Sequence, residues 1–217
     1  MAIKCEKNTE EKEKNKEQAI LEAAELEFLD KGFESAKTTK IALLAGVTHA
    51  MLHYYYRTKE NLFNKIFDEK IALIKNSLFV FFDDADMPFQ EKVKCSIEAH
   101  FDFLRANDKL PRFVINELIF KPKRLALLEG KIKKAGGHLL NAISKEIDTE
   151  VKRGTINPIE PVDLLLDIAS LNVFVFAAMP LLRAFAVDRY GDEEAFLEAR
   201  KKENVEIILR RLKRVEN

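Results

Sequence analysis

The sequence has no tryptophan, few turn-forming residues and no overall charge. Glycine (7) and proline (6) are scarce among 217 residues, so turns are few and helices long, which favours an all-α fold. The 36 basic and 36 acidic residues cancel, so any nucleic-acid-binding surface has to be local. Hydrophobic residues make up 47% and charged residues 33%, which is the ordinary balance of a globular protein.

Cysteine is sparse and an export signal is missing. Cys5 lies in a polar tail and Cys95 in a helical pattern, which suits a reducing cytoplasm better than a disulfide framework. Residues 1–18 are charged throughout and have no apolar core of the kind that directs export. The most apolar run, 163–186, contains charged residues, and its unbroken apolar stretch, 173–182, is too short to span a bilayer. We therefore expect a cytoplasmic protein without a membrane segment, in which this run is a buried or interface helix.

Hydrophobic periodicity predicts helices along most of the chain. Residues 1–15 are nearly all polar and are expected to form a frayed lead-in, and no segment alternates at period two, so no sheet is predicted. The short helices predict a compact N-terminal domain, with its tail, over residues 1–57, and the longer ones a helical bundle over 58–217. The predicted helices span residues 16–30, 38–44, 48–56, 58–80, 89–106, 111–120, 123–152, 161–186 and 192–214.

Residues 38–56 have the pattern of a helix-turn-helix. Two helices that cross steeply after a short turn need a small residue at the crossing, which Ala42 provides, and often a glycine in the turn. Gly46 can take the positive φ angle that such a turn requires, and Thr48 can cap the second helix.

The second of these helices carries short polar and aromatic side chains and no carboxylate on one side. At about 100° per residue these side chains cover an arc of about 140°, which a DNA major groove can admit. Across residues 36–65 the chain has five cations and one carboxylate, a local net charge of +4 that suits phosphate contact. The outward residues are His49, Ala50, His53 and Tyr54.

The same residues allow two interpretations that do not involve DNA, a hydrophobic core and a metal site. The three tyrosines at 54–56 could be ordinary core, but three consecutive residues cannot all face one side of a helix. His49 and His53 have the spacing of a metal-chelating pair, yet no Cys, Asp or Glu lies beside them within residues 46–59. We predict no metal site and no cofactor.

The segment 20–67 resembles the DNA-binding region of the TetR (tetracycline-repressor-like) family of transcriptional regulators. It departs from the family pattern at Ala50, where glycine is usual, at His53 and Tyr56, where tyrosine and phenylalanine are usual, and at Glu27, where leucine is commoner. The matching positions are Ile41-Ala42, Ala45-Gly46-Val47-Thr48, Leu52, Tyr55-Tyr56, Thr58-Lys59-Glu60 and Leu62.

The resemblance implies a role for each residue of this surface. Thr48 would cap the recognition helix and bind a phosphate. His49, Ala50 and His53 would face bases, and Tyr54 would lie against the DNA backbone or a base. Tyr55 and Lys59 would hold phosphates. His53 adds a group that can become charged near neutral pH, so DNA affinity would depend on pH. The predicted DNA contacts are Lys37, Thr38, Thr39, Thr48, His49, Ala50, His53, Tyr54, Tyr55 and Lys59.

The resemblance also implies a homodimer formed by the last two long helices, 161–186 and 192–214. Their apolar residues repeat at helical spacing, and the alternative is that these residues are the core of the domain itself. The predicted interface residues are Leu164, Ile168, Leu171, Val175, Leu182, Val205, Ile208 and Leu212.

A phenylalanine-rich region of the larger domain could line a largely apolar effector pocket, although such residues are more often plain core. We therefore expect a repressor that a small effector releases from a palindromic double-stranded operator. The rival hypotheses are an architectural DNA binder and a small helical enzyme, for which no phosphate loop or nucleophile motif is present. The predicted pocket residues are His100, Phe103, Phe113, Phe120, His138, Asn172, Phe176 and Met179.

Overall fold

The protein folds into helices joined by short turns, and the all-α prediction is confirmed. The computed structural model describes residues 2–79, 81–82, 84 and 86–214, and within these ranges all side chains except those of residues 2–14, 78, 79, 135, 138 and 139. The only extended pairing in this part of the chain is one isolated bridge between Ile156 and Lys213. The helices are α1 (Ala2–Ser35), α2 (Thr38–Leu44), α3 (His49–Tyr56), α4 (Lys59–Phe79), α5 (Phe89–Ala106), α6 (Leu110–Val114), α7 (Pro122–Arg153), α8 (Pro161–Ala177), α9 (Met179–Phe185) and α10 (Glu193–Leu212).

The first helix is longer than predicted at both ends. α1 begins at Ala2, although the composition of residues 1–15 predicts a frayed lead-in. Lysine and glutamate are good helix formers, so a helix whose buried face begins at Ile20 can extend back through them. Gly32, the predicted stop, leaves helical geometry at φ 71° and ψ 171°, and one further turn follows.

The single helix predicted over residues 161–186 is wrong, because it is broken into α8 and α9. The two helices meet at 69° just before Pro180. The proline has no N–H to donate, and its ring crowds the carbonyl four residues earlier, which ends α8. Among the described residues no single helix has both the length and the apolar composition to span a membrane, although α8 and α9 together meet these two criteria across their bend.

The helix predicted over residues 111–120 is also irregular. α6 ends after five residues and continues as a π-helical turn, Ile115–Ile119, a rare geometry. This turn contains Glu117, whose side chain is buried and pairs with Lys121 at 2.7 Å and with Arg124 at 3.2 Å. Two cations therefore compensate the buried carboxylate.

The chain divides into two compact units, Met1–Ile71 and Ala72–Asn217. The division falls within α4, and the domain boundary at residues 57–58 stays a prediction. In the N-terminal unit the Phe63 ring lies 5.3 Å from Phe28 and 5.1 Å from Phe33, both edge to face. Such aromatic pairs contribute about 0.5–1.5 kcal/mol each beyond the area they bury, so this cluster fastens α4 to α1.

The C-terminal unit has two apolar clusters, both built on α5, α8 and α10. Each large apolar side chain buried there stabilises the fold by about 1.5–3 kcal/mol. The first cluster contains Phe82, Phe89, Val93, Ile97, Ile143, Ile147, Ile156, Leu164, Ile168, Val205, Ile208 and Leu212. The second contains Phe101, Leu104, Val175, Phe176, Met179, Val187, Phe196 and Leu197.

A buried polar network joins the same three helices. Asn172 is fully buried and donates through Nδ2 to the Ile97 carbonyl at 3.0 Å and to Nδ1 of His100 at 3.3 Å. Its Oδ1 accepts from Asn204 at 3.0 Å, and Asn204 accepts in turn from Arg200 at 2.7 Å. Because Nδ1 of His100 is an acceptor here, the network requires the neutral imidazole.

We predict that acid weakens the fold through His100. Burial lowers the pKa of His100 to about 4, well below the ordinary value near 6.5. As the pH falls from about 6.5 towards 4, His100 becomes protonated in the unfolded chain but stays neutral in the folded chain. The free energy of unfolding should therefore fall by up to about 3 kcal/mol from this residue alone, with no further loss below pH 4.

The measurement is urea unfolding of the wild type and His100→Gln at several pH values. Glutamine keeps an acceptor for Asn172 but does not titrate, and all other titrating groups are common to both proteins. The difference in unfolding free energy between them should shrink as the pH falls. Parallel stability curves would contradict this role of His100.

Candidate nucleic-acid interface

Helices α2 and α3 form the predicted helix-turn-helix. Gly46 has φ +66°, as the tight turn requires, and the Val47 N–H donates to the carbonyl of Ala42 at 3.0 Å. The Thr48 hydroxyl accepts from the Met51 N–H at 3.2 Å and so caps α3. The positive φ of the glycine and the threonine cap are both confirmed.

The two sides of α3 differ sharply in exposure. Leu52 is 1% exposed and Tyr56 7%, so this side holds the helix in the N-terminal unit. Tyr54 is 79% exposed and Tyr55 half-buried, which confirms that the three tyrosines point in different directions. The exposed side carries Tyr54 and the predicted base-reading residues His49, Ala50 and His53.

The hydroxyl of Tyr56 finds a partner inside the unit. It donates to Oε1 of Glu17 on α1 at 3.3 Å. Burial and the nearby Glu17 carboxylate raise the pKa of Tyr56, so the hydroxyl stays protonated and remains a donor. The tyrosine that stands where phenylalanine is usual is therefore accommodated by a polar contact between α1 and α3.

Both histidines of α3 are held in place on the exposed side. Nε2 of His49 lies 2.9 Å from the Thr38 hydroxyl, which joins the start of α2 to the start of α3. The rings of His49 and His53 are edge to face, 4.4 Å apart. Nδ1 of His53 donates to the Arg57 carbonyl at 2.9 Å, which leaves Nε2 of the neutral ring as an acceptor.

Lys59 has a structural contact that the sequence did not indicate. Its Nζ donates to the Glu34 carbonyl at 3.2 Å and lies 4.7 Å from the centre of the Phe33 ring. The ammonium thus joins the start of α4 to the end of α1 and is half-buried. Partners 25 and 26 positions away leave no periodic signal that a reading of the sequence could detect.

The remaining predicted contacts lie around α2. Lys37 and Thr39 are exposed, and Thr38 is half-buried beside His49. The Lys37 N–H donates to Oε1 of Glu27 at 3.3 Å, so the glutamate that departs from the family pattern orders the start of α2. Among the described residues, no group of three or more His, Cys, Asp or Glu side chains is arranged to hold a metal ion.

The predicted effector residues do not form one site. His100, Asn172 and Phe176 are buried in the core, whereas Phe120 is 70% exposed, so its assignment to a pocket is wrong. His138 lies outside the described side chains. Phe113 and Met179 are buried and Phe103 is half-buried.

A cavity of about 580 Å³ does include two of these residues, Phe176 and Met179. It is bounded by the end of α5, by α6, by the break between α8 and α9, and by the start of α10. The sequence did not indicate its charged wall, because these residues come from two regions far apart in the sequence, 105–112 and 183–194. The other lining residues are Arg105, Asp108, Lys109, Arg112, Pro180, Arg183, Asp192, Glu193, Glu194 and Leu197.

The predicted dimer residues are largely core, and this corrects the expectation that they form a surface. The buried ones are Leu164, Ile168, Val175, Val205, Ile208 and Leu212, while Leu171 and Leu182 are half-buried. α8 carries a second apolar stripe on its opposite side, where Leu166 is 57% and Phe174 64% exposed. Leu181 and Phe185 of α9 are exposed to 62% and 61%.

Comparison with known proteins agrees with this architecture. The family model of bacterial regulatory proteins of the tetR family matches residues 20–66. The chain is similar to the HTH-type transcriptional regulator RutR of Escherichia coli K12, with 28% identity over 196 residues that cover 89% of this chain and 88% of RutR.

Two solved structures share the fold over most of their length. A TetR-like transcriptional regulator from Rhodococcus sp. RHA1 superposes with a TM-score of 0.64 at 17% identity, covering 90% of this chain and 94% of its own. The regulator FadR from Bacillus subtilis, in complex with stearoyl-CoA, has a TM-score of 0.66 at 19% identity, with coverage of 90% and 98%. Residues 20–66 therefore match the tetR family of bacterial regulatory proteins, and over 89% of its length the chain is similar to a transcriptional regulator, a class of proteins that are not enzymes.

Proposed function

We propose that the protein is a homodimeric repressor that leaves a palindromic operator when a small, largely apolar effector binds its C-terminal unit. The observation that carries the DNA-binding part is the exposed side of α3. Hydrogen-bonding rings and one alanine lie on that side, while Leu52 and Tyr56 anchor the other. We propose that it acts in the cytoplasm, where an operator is accessible.

The cations around α3 and the residues on its exposed side would have different roles in binding DNA. Lys37, Lys40 and Arg57 are exposed, and the local net charge over residues 36–65 is +4. Contacts from cations to phosphates fix position without reading sequence, whereas contacts in the major groove specify bases. His49, Ala50 and His53 would therefore supply the specificity and the cations the sequence-independent affinity.

The exposed apolar stripe of α8 and α9 supports a dimer. Large apolar side chains clustered on one surface mark interaction sites, and Leu166, Phe174 and Phe185 are all more than half exposed in the single chain. A two-fold dimer would present two copies of α3 to two half-sites, which explains how one short helix can suffice for an operator.

Effector control requires that the ligand bind the two states of the dimer with different affinities. The solved structure of FadR, a protein of the same fold, holds stearoyl-CoA, and this supports an apolar effector here. The described cavity, with Phe176 and Met179 in its wall, is the site we propose for it.

We predict that Lys59→Ala weakens binding to all DNA sequences alike. Loss of one phosphate contact should lower the slope of log affinity against log salt by about one. The measurement is a salt series of fluorescence-anisotropy titrations with operator and random DNA. Lys31→Ala, which removes an exposed cation paired with Asp30 on the same unit, is the matched control.

Because Lys59 also joins α4 to α1, its loss can weaken DNA binding by destabilising the N-terminal unit. Thermal unfolding of the variant distinguishes this effect from the loss of a phosphate contact. Lys59→Arg should keep most of the affinity. An unchanged salt slope in a folded Lys59→Ala protein would contradict the phosphate role, and equal affinity of the wild type for all sequences would favour an architectural DNA binder.

We predict that His49→Ala changes base preference instead. A side chain that contacts base edges contributes about 1–3 kcal/mol of discrimination at its position. Selection from a randomised operator library should show a relaxed preference at one symmetric pair of positions. The Lys59→Ala variant is the contrast, since it should keep the wild-type preference. An identical selected sequence for His49→Ala and wild type would remove His49 from the base-reading set.

We predict that Phe174→Glu dissociates the dimer. A buried glutamate at the centre of an apolar interface costs at least about 2 kcal/mol, or roughly 30-fold in the dissociation constant. Sedimentation equilibrium at micromolar concentration measures this. Leu127→Glu, at an 80% exposed position on α7, should leave the dimer intact. A wild-type protein that is monomeric under these conditions would rule out the proposed interface.

A further inference from the structure

The cavity at the end of α5 combines an apolar floor with a charged rim. Phe176, Met179 and Leu197 form the floor and are 4%, 6% and 6% exposed, so they belong to the core of the C-terminal unit. The volume of about 580 Å³ lies in the range of small-molecule sites. A ligand body in contact with this floor would therefore be apolar.

Two arginines of the rim are already paired with carboxylates of α10. Arg183 makes a two-pronged contact with Glu193, from Nε at 2.5 Å and from a terminal nitrogen at 2.8 Å. Arg105 pairs with Glu194 and, at 2.7 Å, with Glu198. These pairs join α9 and α5 to the first turns of α10.

The other two cations of the rim have no such partner. Among the described residues, Lys109 and Arg112 make no side-chain hydrogen bond or ion pair. Of the carboxylates beside them, Asp192 accepts the N–H of Ala195 as the cap of α10, and Asp108 lies near Arg183. The rim can thus accept an anion at Lys109 and Arg112 without breaking an existing pair.

We propose that this cavity binds an amphipathic anion, with a carboxylate or phosphate head on Lys109 and Arg112 and a hydrocarbon body on Phe176, Met179 and Leu197. A guanidinium can contact either head through two parallel hydrogen bonds. The head group would lie on these two cations and leave the pairs of Arg183 and Arg105 with α10 in place. That this ligand is the effector rests on the proposed function, whereas the binding itself does not.

The test is calorimetric titration of the purified full-length protein with decanoate and decyl phosphate below their micelle concentrations and with decan-1-ol below its solubility limit. Decanoate or decyl phosphate should bind saturably, one per chain, and the stronger of the two identifies the head group. Decan-1-ol should bind at least tenfold more weakly, because it offers the same body without the charge.

The variant Lys109→Gln/Arg112→Gln should weaken binding of the anion at least tenfold and leave that of decan-1-ol unchanged. Lys202→Gln/Lys213→Gln removes two exposed cations outside the cavity and should behave as wild type. The charge-conserving variant Lys109→Arg/Arg112→Lys keeps two cations and one guanidinium, so it should bind the anion more tightly than the double glutamine variant.

Absence of saturable anion binding would overturn the proposal, and so would anion binding that survives loss of both cations. No DNA is present in these titrations. If the protein binds the anion but no operator, the proposed site stands and the proposed function is wrong. If it binds an operator but not the anion, the proposed function stands and the proposed site is wrong.

Discussion

The burial of one side of α3 is the constraint on which the DNA-binding unit depends. A helix of eight residues is unstable alone in water, so its position comes from packing and not from its own hydrogen bonds. Leu52 and Tyr56 supply that packing, and at helical spacing their burial forces His49, His53 and Tyr54 outwards. The buried side of this short helix therefore holds it in the fold, and the exposed side carries the residues that we propose contact DNA. A change on the buried side would move every exposed residue with it.

The departures from the family pattern are accommodated within the same unit. The Tyr56 hydroxyl meets Glu17, and the Glu27 carboxylate meets the backbone at the start of α2. A buried polar group without a partner costs about 1–3 kcal/mol, so the buried Tyr56 hydroxyl requires its contact, whereas Glu27 is only half-buried. Both contacts reach from α1, which therefore positions the helix-turn-helix through polar contacts as well as through its apolar face.

Sequence reasoning succeeded where a pattern is local and failed where it is not. The turn at Gly46, the cap at Thr48 and the division of the tyrosines depend on neighbours within a few residues, and each was predictable. α8 was ambiguous because it has apolar stripes on two sides, Leu164 and Ile168 on one and Leu166 and Phe174 on the other. Periodicity identifies such stripes but cannot tell which one packs inside the chain. The cavity could not be predicted for a related reason, since its charged wall combines residues 105–112 with residues 183–194, two regions far apart in the sequence.

The energetics of α10 indicate where a ligand can act on it. Its middle is fixed by Asn204, which is fully buried and bonded to Asn172, and separating the two would leave buried amides without partners at about 1–3 kcal/mol each. Its first turns are held by partly exposed ion pairs, Arg183 with Glu193 and Arg105 with Glu194, and such pairs contribute only about 0–1 kcal/mol. A ligand of ordinary affinity can offset the cost of breaking these ion pairs far more easily than the cost of separating Asn204 from Asn172. Any effector that moves α10 should therefore release its N-terminal end while the buried network keeps the middle in place.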